Sequence, residues 1–337
     1  MRDQRPALGN RSFVAGLLAL TAAVACGGGD AGSARVTIPP GATVRAAAES
    51  LSAKGIIRAP ALFGLYARVT GRDRGIKAGT YLLERGSSWS AALTALTEGR
   101  GLVYTVTIPE GWTIATIIPT LAREVKVSEE SLKVAVADSS LRDRLDVTTP
   151  TLEGYLFPET YVFPDGATAR EIIGTMVRQF ERRWKPEWNA RLDSLGMTRH
   201  EIVTLASIIE KEARVAEERP VISGVYHNRL KRGMLLQADP TIQYALGRHR
   251  ARVLYRDLRV DSPYNTYRYP GLPPGPIASP GDASIEAALY PASVPYLYFV
   301  AHPDGHHEFR RTLREHNEAV RQMRALRQAR QRAASSR

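Results

Sequence analysis

Val36-Thr37-Ile38-Pro39-Pro40-Gly41-Ala42-Thr43-Val44 recurs further along the chain as Val106-Thr107-Ile108-Pro109-Glu110-Gly111-Trp112-Thr113-Ile114. Each copy opens on β-branched residues, which favour a strand. Pro then fixes φ and Gly permits φ > 0, so the strand ends in a sharp turn. A helix follows, with Thr43 or Thr113 near its N-cap. Two copies are too few for a solenoid. They read either as a recurring strand-turn-helix unit or as the start of a small module.

The residues between the copies favour the module. A helical pattern runs over 60–69, a strand over 77–83 and an amphipathic helix over 88–97, ending at Gly99. That order gives a LysM-like βααβ subdomain over residues 36–103. LysM modules bind glycan chains, but no glycan-specific residue stands out here. Beyond 104 helical patterns alternate with Pro- and Gly-rich loops, at about 113–124, 128–136, 168–184, 198–213, 217–232, 239–246 and 284–289. A strand is expected over 296–301 and an arginine-rich helix over about 310–333. The fold class is therefore α+β: the small subdomain, then a larger, mainly helical domain with a small sheet over 104–320, and a basic C-terminal helix or tail over 321–337.

The 337 residues are 44% hydrophobic and 24% charged, as in folded globular proteins. A formal net charge of +12 suits an anionic partner: nucleic acid, an anionic membrane or an acidic wall polymer. The C-terminal arginines, opposed only by Glu315 and Glu318, are either a solvated face or a contact for such a surface. At the other end Arg2, Arg5 and Arg11 precede an apolar run, Phe13 to Ala25, as in an export signal. The run is short for a membrane span, which needs roughly 17 to 25 residues. It stops at Cys26, the single cysteine, and Ala23-Val24-Ala25-Cys26 is similar to a bacterial lipobox. Residues 1–26 thus read as a signal peptide, a retained anchor or a lipoprotein signal, and 27–35 as a flexible tether. All three put the body outside the cytoplasm, which disfavours nucleic acid as the partner, as does the lack of aromatic-basic repeats.

No phosphate-binding loop, His-Glu-x-x-His or cysteine pair is present, so neither cofactor nor metal is expected. Histidines 302, 306, 307 and 316 fit no common ligand spacing. What remains is a set of carboxylates and amides among aromatics: Glu153 in Thr151–Tyr161, Gln237 and Asp239, then Tyr264, Asn265 and Thr266. Sugar rings, with apolar C–H faces ringed by hydroxyls, suit such surfaces. The loop 271–281, rich in Pro and Gly, cannot be regular helix or central strand and is suited to line a cleft. In Ala206-Ser207-Ile208-Ile209-Glu210-Lys211-Glu212, the two acids lie about 200° apart on a helix, so they cannot serve one centre. Glu210 borders an expected apolar stripe through Ile202, Ala206 and Ile209. Desolvation there would favour its protonated form, as a general acid for glycosidic cleavage requires. The bland alternative is a solvated Glu-Lys-Glu at a helix end.

Leu205–Glu212, Glu218-Arg219, Val225–Leu230, Gln237–Thr241, Tyr264–Tyr267 with Gly271–Gly275, Leu152–Tyr161, Tyr296–Val300, and His307 to Asn317 closely resemble the endolytic murein transglycosylases of the MltG, or YceG-like, type. The similarity runs from about residue 36 to 320. It implies a LysM-like subdomain near the membrane and a catalytic domain over 104–320 facing peptidoglycan. It further implies Glu210 as the acid, cleavage without cofactor, and coupling to wall-synthesis machinery. Glu153, Gln237, Asp239, Tyr264, Asn265 and Thr266 are expected to hold the sugar, with Glu212 structural. The short N-terminal run departs from the longer anchor of many members. The rival expectation is a non-catalytic, wall-binding LysM-like scaffold.

Overall fold

The computed structural model describes residues 32–247, 253–302 and 304–335. The expected signal or anchor over 1–26, with Cys26, lies outside them. No helix among the described residues is long and apolar enough to cross a membrane. The chain divides into two compact units, one up to Arg100 and one from Gly101.

The first unit opens with β1 (Ser33–Ile38), which begins inside the stretch expected as tether. It continues through α1 (Val44–Ala53), α2 (Pro60–Val69), β2 (Gly79–Glu84) and α3 (Trp89–Glu98). β1 and β2 pair antiparallel, with Val36 opposite Tyr81. The strand-helix-helix-strand order is the one read along the chain. Thr43 caps α1 by accepting from the Ala46 N–H, and Gly99 ends α3 in the left-handed conformation. Val36, Ile38, Leu51, Phe63, Tyr81, Leu93 and Leu96 are buried, so each element contributes to this unit's core.

The second unit runs β3 (Leu102–Thr107), α4 (Ile114–Val125), α5 (Glu129–Val136), α6 (Ser139–Arg144), β4 (Thr160–Pro164), α7 (Ala169–Arg183), α8 (Glu187–Leu195) and α9 (Arg199–Glu212). Then come α10 (Arg219–Lys231), α11 (Asp239–Ala245), α12 (Asp282–Leu289), β5 (Tyr298–Ala301), β6 (His307–Arg310) and α13 (Leu313–Ser335). β3 pairs antiparallel with β4, and β5 with β6. α6, α8, β4 and β6 were not expected. Both strands are short, and β4 needs a partner more than fifty residues away, whereas β6 pairs with β5 across a short turn. Because His307–Arg310 pairs with β5, the last helix starts at Leu313, later than expected.

α9 corrects a second expectation. Its buried residues form no stripe, for every residue from Ile202 to Ile209 is buried. α8, α10, α11 and α12 all pack on it, so it is the central helix of this unit. Its polar members are satisfied. Thr204 Oγ1 donates to the His200 carbonyl, and Ser207 Oγ donates to the Thr204 carbonyl while accepting from the Ile277 N–H. Thr198 and Glu201 close a capping box at its start.

Candidate active site

The last turn of α9 leaves the core, and Glu210 leaves with it. Its side chain is 7% exposed. Oε2 accepts from the Gly281 N–H at 3.1 Å, and Oε1 faces the Arg219 guanidinium at 3.6 Å. The expected apolar border is therefore only part of its surroundings. Arg219, first residue of α10, is steadied by donating from Nε to Ser284 Oγ at 3.1 Å.

Two further segments close on this point. The turn Pro109-Glu110-Gly111 carries Gly111 at φ 74°, a left-handed value that suits glycine. The Gly111 N–H donates to the Ser279 carbonyl, the Ser279 N–H donates to the Trp112 carbonyl, and Lys211 Nζ donates to the Gly111 carbonyl. The proline-rich loop is held from beneath by α9, through His200 on the Pro274 carbonyl and Ser207 on the Ile277 N–H. These bonds hold the loop 271–281, and its end delivers Gly281 to Glu210.

Glu110 arrives with the turn, and no role was expected of it. Its carboxyl lies over Gly281, where a Cβ would overlap it. Burial raises its pKa, the Glu210 charge and Asp282 add to this, and Arg219 opposes it. A signal for it existed: Glu110 stands where the first copy of the turn has Pro40.

Glu212 faces elsewhere, as helix geometry requires. It accepts from the Tyr226 hydroxyl at 3.2 Å. Burial and the Asp239 charge push its pKa up to about 7, against the Tyr226 hydrogen bond, Arg229 and Arg214. Glu153 is buried and accepts from the Ile114 N–H at 3.1 Å, on the first turn of α4, where Thr113 makes no side-chain cap. The Tyr244 hydroxyl reaches it at 3.4 Å, and Tyr244 packs on Tyr264 with ring centroids 4.8 Å apart. Burial pushes Glu153 up to about 7 despite both hydrogen bonds.

The other expected residues form a loop junction. Asn265 is fully buried; its Nδ2 donates to the Leu258 and Val260 carbonyls, and its Oδ1 accepts from the Tyr267 N–H. Thr266, also buried, accepts from the Ala238 N–H and hydrogen-bonds Thr241. Gln237, exposed at φ 49°, donates its N–H to the Thr266 carbonyl. Exposed Asp239 accepts from the Tyr267 hydroxyl at 2.6 Å. Gln237 and Asp239 thus have carboxamide and carboxylate at the surface, whereas Asn265 and Thr266 hold the loop beneath them.

The histidines separate. His307 bonds Glu218 through Nδ1 at 2.7 Å, and His316 stacks on Tyr298. His302 and His306 converge on Asp304 with ligand atoms within 4.8 Å of one another, a grouping that histidine spacing alone does not reveal. A cleft of about 330 Å³ lies between α10 and α12; it shares Arg219 with the carboxylate cluster but is lined otherwise by Ala216, Pro220, Ala283, Glu286, Ala287 and Tyr290.

Chemically, the end of α9 gathers carboxyl groups, a guanidinium and a backbone N–H around a surface turn. Such a set can give and take protons beside a bound polar substrate. Comparison with known proteins covers most of the chain, in both units. The profile of the YceG-like family matches residues 36–322. The endolytic murein transglycosylase of Bacillus subtilis is 38% identical over 300 residues, covering 84% of this chain and 83% of that protein. Its namesake in Streptococcus pneumoniae is 31% identical over 297 residues, and the match spans only 54% of that longer protein. The crystal structure of a YceG-like protein from Listeria monocytogenes superposes with a TM-score of 0.62 at 35% identity, covering 85% of this chain and 98% of that one.

Proposed function

The chain belongs to the YceG-like family, and from that premise we propose that it is an endolytic murein transglycosylase acting on peptidoglycan. Glu210 is its acid and base. It protonates the bridging oxygen of the β-1,4 bond between N-acetylmuramic acid and N-acetylglucosamine as an oxocarbenium-like centre develops. It then takes the proton of the muramyl C6 hydroxyl, which closes a 1,6-anhydro ring in place of attack by water. The observation that carries this reading is the position of Glu210. It lies in the last turn of a helix buried from Ile202 to Ile209, its side chain is covered, and it is held by Gly281 and Arg219.

Gln237, Asp239 and Tyr264, with surface or partly exposed side chains, are proposed to hold the sugar, and Asn265 and Thr266 to shape the loop that presents them. Glu153 supports the site through the first turn of α4. The first unit is proposed to act as a LysM-like module. The N-terminal apolar segment or a lipid on Cys26 would tether the protein to the membrane, with residues 104–320 facing the wall and the synthesis machinery nearby.

Purified peptidoglycan digested with the Glu210→Gln variant tests the assignment by mass spectrometry of anhydro-muropeptides. The expected loss is about 10²-fold or more, the scale of a general acid–base contribution. Full activity in that variant removes Glu210 from the chemistry, and loss in Glu212→Gln alone with folding intact moves the role to Glu212. Strand binding by the native protein without any anhydro product favours the non-catalytic scaffold.

A further inference from the structure

Glu110 and Glu210 come from segments a hundred residues apart in sequence, and both meet Gly281. The Gly281 N–H donates to Glu210 Oε2 at 3.1 Å, and the Glu110 carboxyl occupies the space a Cβ on Gly281 would need. Gly281 has φ −83°, which any residue adopts, so the position uses the glycine's small size and not its conformational freedom. Glu110 is exposed as a residue while Glu210 is covered, so Glu110 lies on the solvent side of the pair.

The charged groups around them are few and mostly engaged. Arg219 faces Glu210 and is bonded to Ser284. Asp282 is paired with Arg183. Lys211 donates to the carbonyl of Gly111, next to Glu110 in the turn, so its ammonium is engaged there. One guanidinium thus stands beside two carboxyls.

We propose that Glu110 and Glu210 act as a carboxylate pair holding one proton between them, with Glu110 a positioning residue that keeps that proton available to Glu210. The inference rests on the reading of Glu210 as acid and base. Both carboxyls meet the same residue, Gly281, and neighbouring like charges disfavour double ionisation, so the pair titrates as a unit. Burial and the neighbouring Glu210 raise the pKa of Glu110 against Arg219, and the Gly281 N–H and the Arg219 guanidinium both meet the Glu210 carboxyl. When a strand covers the turn, the proton passes to Glu210 and on to the bridging oxygen as the glycosidic bond breaks. The C6 hydroxyl returns one proton to the pair as the anhydro ring closes. The pair ends with the proton count it began with, and no co-reactant is consumed.

The test is the pH profile of kcat/KM for anhydro-muropeptide release. Glu110→Gln removes one partner, so the remaining proton is lost at lower pH. The alkaline limb should move down on the order of one pH unit, about a tenfold loss there, with the acidic side little changed. Glu110→Asp, which keeps the charge, should stay near the native limb. Gly281→Ala, which retains the N–H but displaces Glu110, should shift it as Glu110→Gln does, and carries the test if Glu110→Gln does not fold. A Glu110→Gln profile of native shape, at full or uniformly reduced height, overturns the inference. That result together with an inactive Glu210→Gln leaves the function standing, whereas an active Glu210→Gln overturns the function itself.

Discussion

At Glu153 a single carboxyl links burial to the pH dependence of stability. Its ordinary pKa is 4.5, and burial raises it to about 7 in the fold. Between those values the native state binds more protons than the unfolded chain, so stability falls as pH rises from about 4.5 to about 7 and is level beyond. The difference corresponds to roughly 3 kcal/mol at most. Glu153→Gln keeps an oxygen for the Ile114 N–H but cannot ionise. In urea unfolding at about pH 5 and about pH 8, this variant should lose less stability across the interval than the native protein. Glu212, raised for similar reasons, leaves a residual slope of the same sign. Read along the chain, Glu153 was expected to touch sugar. Its partners within the fold, Ile114 and Tyr244, are distant in sequence, and a carboxylate among aromatics reads the same whether it meets a ligand or a helix terminus.

The α10 segment Tyr226-His227-Asn228-Arg229 shows how an element can be polar and yet structural. Tyr226 donates to Glu212, and the His227 ring meets the Ala288 carbonyl. Asn228 Nδ2 donates to the Val294 and Tyr296 carbonyls. Arg229, 6% exposed, donates to the Leu297 and Leu236 carbonyls at 2.7 Å each and lies over the Tyr298 ring. One helical turn thus clamps the strand leading into β5 and the loop leading into α11. Arg229→Met fills the space but leaves buried carbonyls without donors, at about 1–3 kcal/mol for each. A loss near 3 kcal/mol in denaturant unfolding is expected, and a change under about 1 kcal/mol would show that the clamp is dispensable. Helix limits in this unit were largely legible, because capping residues such as Thr168 and Thr198 act within one turn. The all-round burial of α9 from Ile202 to Ile209 was not, since Thr204 and Ser207 look like a polar face until their backbone partners are known.

Over the whole molecule, a net charge of +12 meets a proposed substrate that is an acidic polymer. Electrostatic attraction concentrates such a polymer at the surface and weakens as salt shortens the Debye length, which is about 10 Å at 0.1 M. KM for peptidoglycan should therefore rise with ionic strength while kcat changes little, because the Glu210 side chain itself is covered and screened less. A fall in kcat at constant KM would assign the salt sensitivity to the site instead. The chain divides into units up to Arg100 and from Gly101, and each copy of the repeated strand-turn-helix contributes a strand to one unit's antiparallel pairing.

Along the chain, the turns at Gly41 and Gly111, most helices and their caps, the α+β class and the family motifs were all legible. These features depend on backbone preferences and side-chain contacts within a few residues. Packing decided the rest: the strands β4 and β6, the burial of Asn265 and Thr266, and the meeting of Glu110, Glu210, Arg219 and Gly281. A carboxylate carries no local mark of what will stand beside it. Only the folded chain sets which charges lose water together, and that desolvation separates the glutamate at position 210 from an ordinary helix end.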